Sequence, residues 1–182
     1  MDIRTLVNIT SRAWALPILA GLNDGVPGRQ APLLMATGAS RTAFAQSIDH
    51  LISCGLLERN PGHGHPLRPE FRLTSIGKAA AELASRIQLL SGGENQDLLR
   101  KSWTVPVLAT LGRPSQFTEI KRRLLTISDR ALSQSLQSME ERSWVRRTVD
   151  DAARPPKPIY STIYTGAKIS KVTSPVIELG HI

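Results

Sequence analysis

Short hydrogen-bonding side chains recur along the polar face of two helix-like segments. Ser128, Arg130, Ser133, Gln134 and Gln137 fall on one; Ser40, Arg41, Thr42 and Gln46 fall on the other, with Asp49 as a further candidate. Arginine and glutamine can pair bidentately with guanine and adenine edges, and serine or threonine suits either. Grouped near the start of a helix, they are suited to reading base edges in a major groove. Any solvated helix face carries similar residues; recurrence of the set is what favours base reading. A second group is purely basic. Lys121, Arg122 and Arg123 end a short helical segment, while Arg68, Arg154 and Lys157 stand in loops rich in Pro and Gly. Their natural partners are phosphates or a narrow minor groove. Taken singly, each is also explained as ordinary surface charge.

Other chemistry is poorly supplied. His63 and His65 flank a glycine, but no second ligand pair accompanies them, so a loop tip explains them better than a metal site. Cys54 is the only cysteine, which excludes an internal disulfide and a multi-cysteine metal centre. No basic residue close to it in sequence argues for a lowered thiol pKa, since Arg59 is five residues on. A packed or half-exposed structural thiol is therefore expected. Ser47, Asp49, His50 and Ser53 have the residue types of a catalytic triad, yet they share one helix and lack a nucleophile motif. No enzyme and no cofactor are expected.

The elements that position these residues come as an internal repeat. Residues 14–22 match residues 103–111 at an offset of 89, with Trp, Pro, Leu, Ala and Leu identical and Ile18 replaced by Val107. Residues 40–48 match 128–136 at an offset of 88, keeping Ser, Ala, Gln and Ser. Leu56-Leu57-Glu58-Arg59 then answers Trp144-Val145-Arg146-Arg147, and Phe71 and Gly77 answer Tyr160 and Gly166. Two units are expected, 1–91 and 92–182, divided near Gly92-Gly93.

Each unit reads as helix, helix, helix, strand, wing, strand, helix. Trp14, Ile18 and Leu22 form one apolar stripe, as do Trp103, Val107 and Leu111. Pro17 and Pro106 should kink these helices or begin their regular part. A second helix spans about 31–36, with Pro32 at its first position, or about 116–124. After a three-residue turn, Ser40 and Ser128 are natural N-caps of a third helix. Its apolar stripe is Phe44, Ile48 and Leu51, or Leu132, Leu136 and Met139. Short strands around a basic loop make the wing, and a helix follows, running to about Leu90 in the first unit. In the second, Pro175 should stop it. The fold class expected is mainly α (α+β), as tandem winged helix-turn-helix domains.

Composition fits this picture. The 182 residues are 41% hydrophobic, enough for a core, and 23 Lys and Arg against 15 Asp and Glu give a net charge of +8 spread over both halves. That bias suits a polyanionic partner. No stretch is long and apolar enough for a membrane span, and the opening residues do not resemble a signal peptide.

The second unit resembles the HxlR-type winged-helix transcriptional regulators, relatives of the MarR group. The resemblance rests on Trp103, Val107-Leu108, Leu111, Phe117-Thr118-Glu119-Ile120, Ser128, Leu132-Ser133, Leu136, residues 144–147, Pro158, Tyr160 and Gly166. The first unit keeps Trp14, Ile18-Leu19, Leu22, Ser40, Phe44, residues 55–59, residues 71–77 and little of the second helix. Ser143 stands where the family usually has Gly, and Ile163 where it usually has Thr. The resemblance implies a bacterial, cytoplasmic, nucleoid-associated regulator that binds double-stranded DNA. It leaves room for a small-molecule effector between the units, as in MarR-like sensors. Two units in one chain imply a monomer that mimics the usual dimer, with recognition helices about one DNA turn apart, roughly 34 Å, or a homodimer. The competing expectation is a tandem winged-helix scaffold for protein interaction.

Overall fold

The computed structural model describes residues 1–60, 69–150 and 156–178. The chain divides into two compact units, Asn8–Leu89 and Met1–Val7 with Leu90–Ile182. Its first helix, α1 (Ile3–Thr10), is capped by Asp2, whose carboxylate accepts from the Thr5 amide at 2.8 Å and the Thr5 hydroxyl at 2.7 Å.

The N-terminal unit continues with α2 (Ala15–Asn23), α3 (Gln30–Thr37), α4 (Arg41–Ser53), β1 (Leu57–Asn60), β2 (Glu70–Leu73) and α5 (Ser75–Ser91). β1 and β2 pair antiparallel from Leu57 opposite Leu73 to Asn60 opposite Glu70, and an isolated bridge adds Arg29 beside Glu70. Phe44, Ile48 and Leu51 bury one face of α4 together with Ile18, Leu19, Leu33 and Leu56. Phe44 meets Phe71 edge-on at 6.2 Å between ring centroids.

The C-terminal unit has α6 (Gln96–Leu99), α7 (Thr104–Thr110), β3 (Ser115–Gln116), α8 (Phe117–Leu124), α9 (Asp129–Glu141), β4 (Val145–Asp150), β5 (Lys157–Thr162) and α10 (Tyr164–Glu178). Its sheet has the order β3-β5-β4, all antiparallel. The sequence reading missed β3, because two residues are too few to show a period. Leu132, Leu136 and Met139 seat α9 in a core that includes Val107, Leu108, Ile120 and Trp144.

Prolines begin helices here and do not bend them. Pro17, Pro32 and Pro106 each occupy the third position of α2, α3 and α7. The first helical bonds are made one residue later, by the amides of Ile18, Leu33 and Val107. A missing N–H in the first turn therefore costs no hydrogen bond. Pro32 was expected at the first position, and α3 starts one residue earlier than read. Trp14 and Trp103 are N-caps of α2 and α7, outside the helical stripes in which the sequence placed them. Pro175 does not stop α10, which runs on to Glu178. It forfeits one bond near the helix end, while α10 packs along α7 and Ser174 Oγ donates to the Ala109 carbonyl at 2.9 Å.

Two backbone positions fasten the strands. A methyl group on Gly77 would overlap the Leu56 carbonyl oxygen, and one on Gly166 would overlap that of Trp144. In both places the amide just before the following helix bonds that same carbonyl: Thr74 N to Leu56 O at 3.1 Å, and Ile163 N to Trp144 O at 2.9 Å. Before the first strand, Gly55 turns with φ +69°, and Ser143 makes the same left-handed turn at φ +56°. Only the glycine does so without strain. Gly166→Ala should therefore destabilise the C-terminal unit by about 2 kcal/mol or more, because backbone must move to admit the methyl. Ser143→Gly should stabilise it by up to about 1 kcal/mol. Thermal melts of the two variants should move in opposite directions; matching shifts would contradict this account of the hairpin.

Candidate nucleic-acid interface

α9 starts sharply. Ser128 is extended (φ −77°, ψ 155°), and its hydroxyl accepts from the Ala131 amide at 3.2 Å. This satisfies one of the helix's orphan donors. Asp129 opens the first turn, where a carboxylate suits the helix dipole, and Lys121 Nζ holds it at 2.7 Å. That pair ties the end of α8 to the start of α9 across the turn. With Leu132, Leu136 and Met139 buried, the helical period forces Ser128, Arg130, Ser133, Gln134 and Gln137 outward, and all five are exposed. Gln137 Nε2 donates to Glu141 at 3.1 Å. Arg130 makes no ion pair among the described residues. An open groove of about 580 Å3 runs beside this face and includes Gln134, Gln137 and Trp103.

α4 is built the same way and has the same 13-residue length. Ser40 accepts from the Ala43 amide at 3.3 Å. Arg41, Thr42 and Gln46 are exposed, while Ser47 is buried and returns its hydroxyl to the Ala43 carbonyl at 2.8 Å. Asp49 is exposed and lies 3.8 Å from Arg59. Arg41 shares a groove of about 560 Å3 with Arg29, Pro32 and Pro69. Arg29 is a cation that the sequence reading passed over: a lone arginine in a loop shows no pattern, and only the bridge to Glu70 brings it beside the wing.

The basic cluster at the end of α8 separates into three roles. Arg122 is exposed and has no ion pair among the described residues. Lys121 is held by Asp129. Arg123 turns inward, donating to the Thr110 carbonyl at 2.7 Å and to Glu119 at 2.7 Å. It thus satisfies an orphan carbonyl at the C-terminus of α7, a task for which a cation is well suited. Lys157 is exposed at the start of β5, opposite Asp150. Arg146 and Arg147, read from the sequence only as strand residues, are both exposed on β4 and widen the basic surface of the wing. Arg68, Arg154, His63 and His65 lie outside the described residues.

Cys54 has a neighbour that the sequence reading overlooked. His50 Nε2 lies 3.6 Å from Sγ, four residues back on α4. The same nitrogen is 2.7 Å from the Asn8 carbonyl. A carbonyl only accepts, so Nε2 carries a proton there and is not a free base for the thiol. Among the described residues no group of three or more His, Cys, Asp or Glu could hold a metal ion, and no helix is long and apolar enough to cross a membrane.

Glu119 is the hub of the α7–α8 junction, accepting from Arg113 at 3.0 Å as well as from Arg123. The hydrogen bond from Arg113 holds its carboxyl below the usual glutamate range; burial opposes it, and the charges of Arg123, Arg113 and Arg122 add to the lowering. A lowered folded-state pKa stabilises above the unfolded value, about 4.3, and that stabilisation disappears as pH falls through the folded value. Glu119→Gln should therefore lower the melting temperature at pH 7, and the gap to the parent should close as pH drops below about 4. An undiminished gap in acid would mean that the charge of Glu119 is not what holds the junction.

Residues 98–181 match the model of the HxlR-like helix-turn-helix family, a family of DNA-binding regulators and not of enzymes. No curated protein matches the chain. The matched stretch contains α7, α8, α9, the β3-β5-β4 sheet and α10, the elements that position the exposed face of α9 and the basic strands beside it.

Proposed function

We propose that the chain is a sequence-specific, DNA-binding transcriptional regulator built from two tandem winged helix-turn-helix units. In each unit the helix after the turn, α4 or α9, enters a major groove and the wing lies on the backbone. The observation that carries this reading is the outer face of α9 within the matched stretch. Arg130 and Gln134 are four residues apart, exposed, and free of any task in the core. Arg122, Arg146, Arg147 and Lys157 are exposed in the same unit, and cations of this kind hold phosphates without reading sequence.

The tandem reading is supported by the recurrence of single interactions. Serine caps of α4 and α9, prolines at the third position of α2 and α7, left-handed turns at Gly55 and Ser143, and the glycine contacts at Gly77 and Gly166 each occur once per unit. Ser40, Arg41, Thr42 and Gln46 are the proposed readers of the N-terminal unit. Ser128, Arg130, Ser133, Gln134 and Gln137 are those of the C-terminal unit. On this reading the protein works in the cytoplasm, on the nucleoid.

Reading and holding separate experimentally. Arg130→Ala should cost about 1–3 kcal/mol at the preferred site and relax the preference at one base pair. Lys157→Ala should weaken binding to all duplexes alike. Leu132→Ala should act through the core, costing about 2–5 kcal/mol of stability. Competition against single-base variants of the site, with melts as folding controls, distinguishes the three. If folded Arg130→Ala kept full affinity and full discrimination, α9 would not be the reading helix.

A further inference from the structure

The caps and buried stripes fix the register between α4 and α9 without ambiguity. Ser40 matches Ser128 at the N-cap, and Phe44, Ile48 and Leu51 match Leu132, Leu136 and Met139 in the core. Once the helices are aligned in this way, their outward residues can be compared one by one. Gln46 and Gln134 are the same residue, exposed in both. The others differ in chemistry. Arg41 matches Asp129, Thr42 matches Arg130, Ala45 matches Ser133 and Asp49 matches Gln137, and every one of these side chains is exposed. None is buried in the core; Asp129 has a structural task, its ion pair with Lys121, but the fold did not impose the contrasts at the other positions.

The flanking surface diverges as well. α3 and α8 have equal length and each buries one matching residue, Leu33 or Ile120. Two residues beyond it, α8 presents the exposed Arg122 where α3 presents Met35, 85% exposed. α3 carries no charged residue in its eight positions, whereas α8 has three cations.

We infer that the two recognition helices read unlike sequences, so that one chain specifies a non-palindromic site with two different elements. This inference rests on the proposed DNA-binding function and adds the kind of operator it takes. A homodimer of identical single-unit chains presents the same helix twice and is matched by a palindrome. Here the two helices are covalently joined and differ at four of the five outward positions compared. The chemistry assigns the contrast. Gln46 and Gln134 favour an adenine at the same place in both elements. At the neighbouring place, Thr42 suits a thymine methyl where Arg130 suits guanine. At the first helical position, Arg41 can donate to guanine, whereas Asp129 is held by Lys121 at 2.7 Å and offers no donor. The element under the C-terminal unit should also contribute more of the salt-dependent affinity, since Arg122 has no cationic counterpart on α3.

The test is selection of bound duplexes from a randomised pool with the full-length chain, followed by the same selection with R41D/T42R, which gives α4 the first two residues of α9. Both positions are exposed, Ser40 is kept and an acid suits the first turn, so the melt should not fall; Q46A, which touches neither changed position, serves as a second probe of α4. The parent should recover two unlike elements that share one adenine, with Q46A losing that adenine in one element only. R41D/T42R should make the altered element resemble the other while leaving the second unchanged. Recovery of two identical elements by the parent would overturn the inference and leave DNA reading intact, as would recovery of a single element insensitive to Q46A and to R41D/T42R. If the same parent chain enriched no sequence and was not retained by duplex DNA, the proposed function itself would fail.

Discussion

A serine hydroxyl and three buried side chains decide what α9 shows to solvent. Ser128 fixes where the helix begins, and Leu132, Leu136 and Met139 fix its rotation. Moving the start by one residue would swing the helix by about 100° and carry Arg130 and Gln134 away from the outer face. The Lys121–Asp129 ion pair and the Arg113–Glu119–Arg123 cluster secure the preceding helix. The bond from the Ile163 amide to the Trp144 carbonyl, which lies against Gly166, secures the following hairpin. A surface that reads base edges needs donors set in place before binding, because each side chain ordered on binding lowers the affinity. Here the core beneath fixes the points on the backbone from which the outer residues project.

Charge has two distinct tasks on this surface, and sequence alone does not separate them. Lys121, Arg122 and Arg123 are consecutive, so any count of basic residues treats them alike. The helical period sends them in three directions: one to an acid on the next helix, one to solvent, and one inward to a carbonyl. Ion pairs between exposed groups are worth only about 0–1 kcal/mol. Their value here lies in orientation, since they hold two short helices at a fixed turn.

Much of the architecture could be read from the sequence because it is written in periods and caps. The stripes of α4 and α9, the two serine N-caps and the hairpin strands all follow from spacing that only one backbone geometry satisfies. What escaped is short or depends on distant partners. β3 has two residues and no period; its strand character comes from pairing with β5. Pro175 looked like a terminator because the sequence does not show the packing of α10 on α7. The inward turn of Arg123 depends on a carbonyl 13 residues away, and the contact of His50 with Cys54 depends on rotamers. The outer residues of α4 and α9 were legible as candidates, since the helical period that buries one stripe exposes the other.

On the proposed function, exposed cations hold the DNA backbone while α4 and α9 read bases. The most direct measurement is the dissociation constant of the full-length chain for duplex DNA as a function of salt concentration. Each neutralised phosphate adds about 0.9 to the log–log slope. With Arg122, Arg146, Arg147 and Lys157 exposed in the C-terminal unit alone, the account predicts a steep fall in affinity with salt, a slope of about 3 or more in magnitude. A slope near zero, or no binding to duplex DNA at low salt, would contradict it.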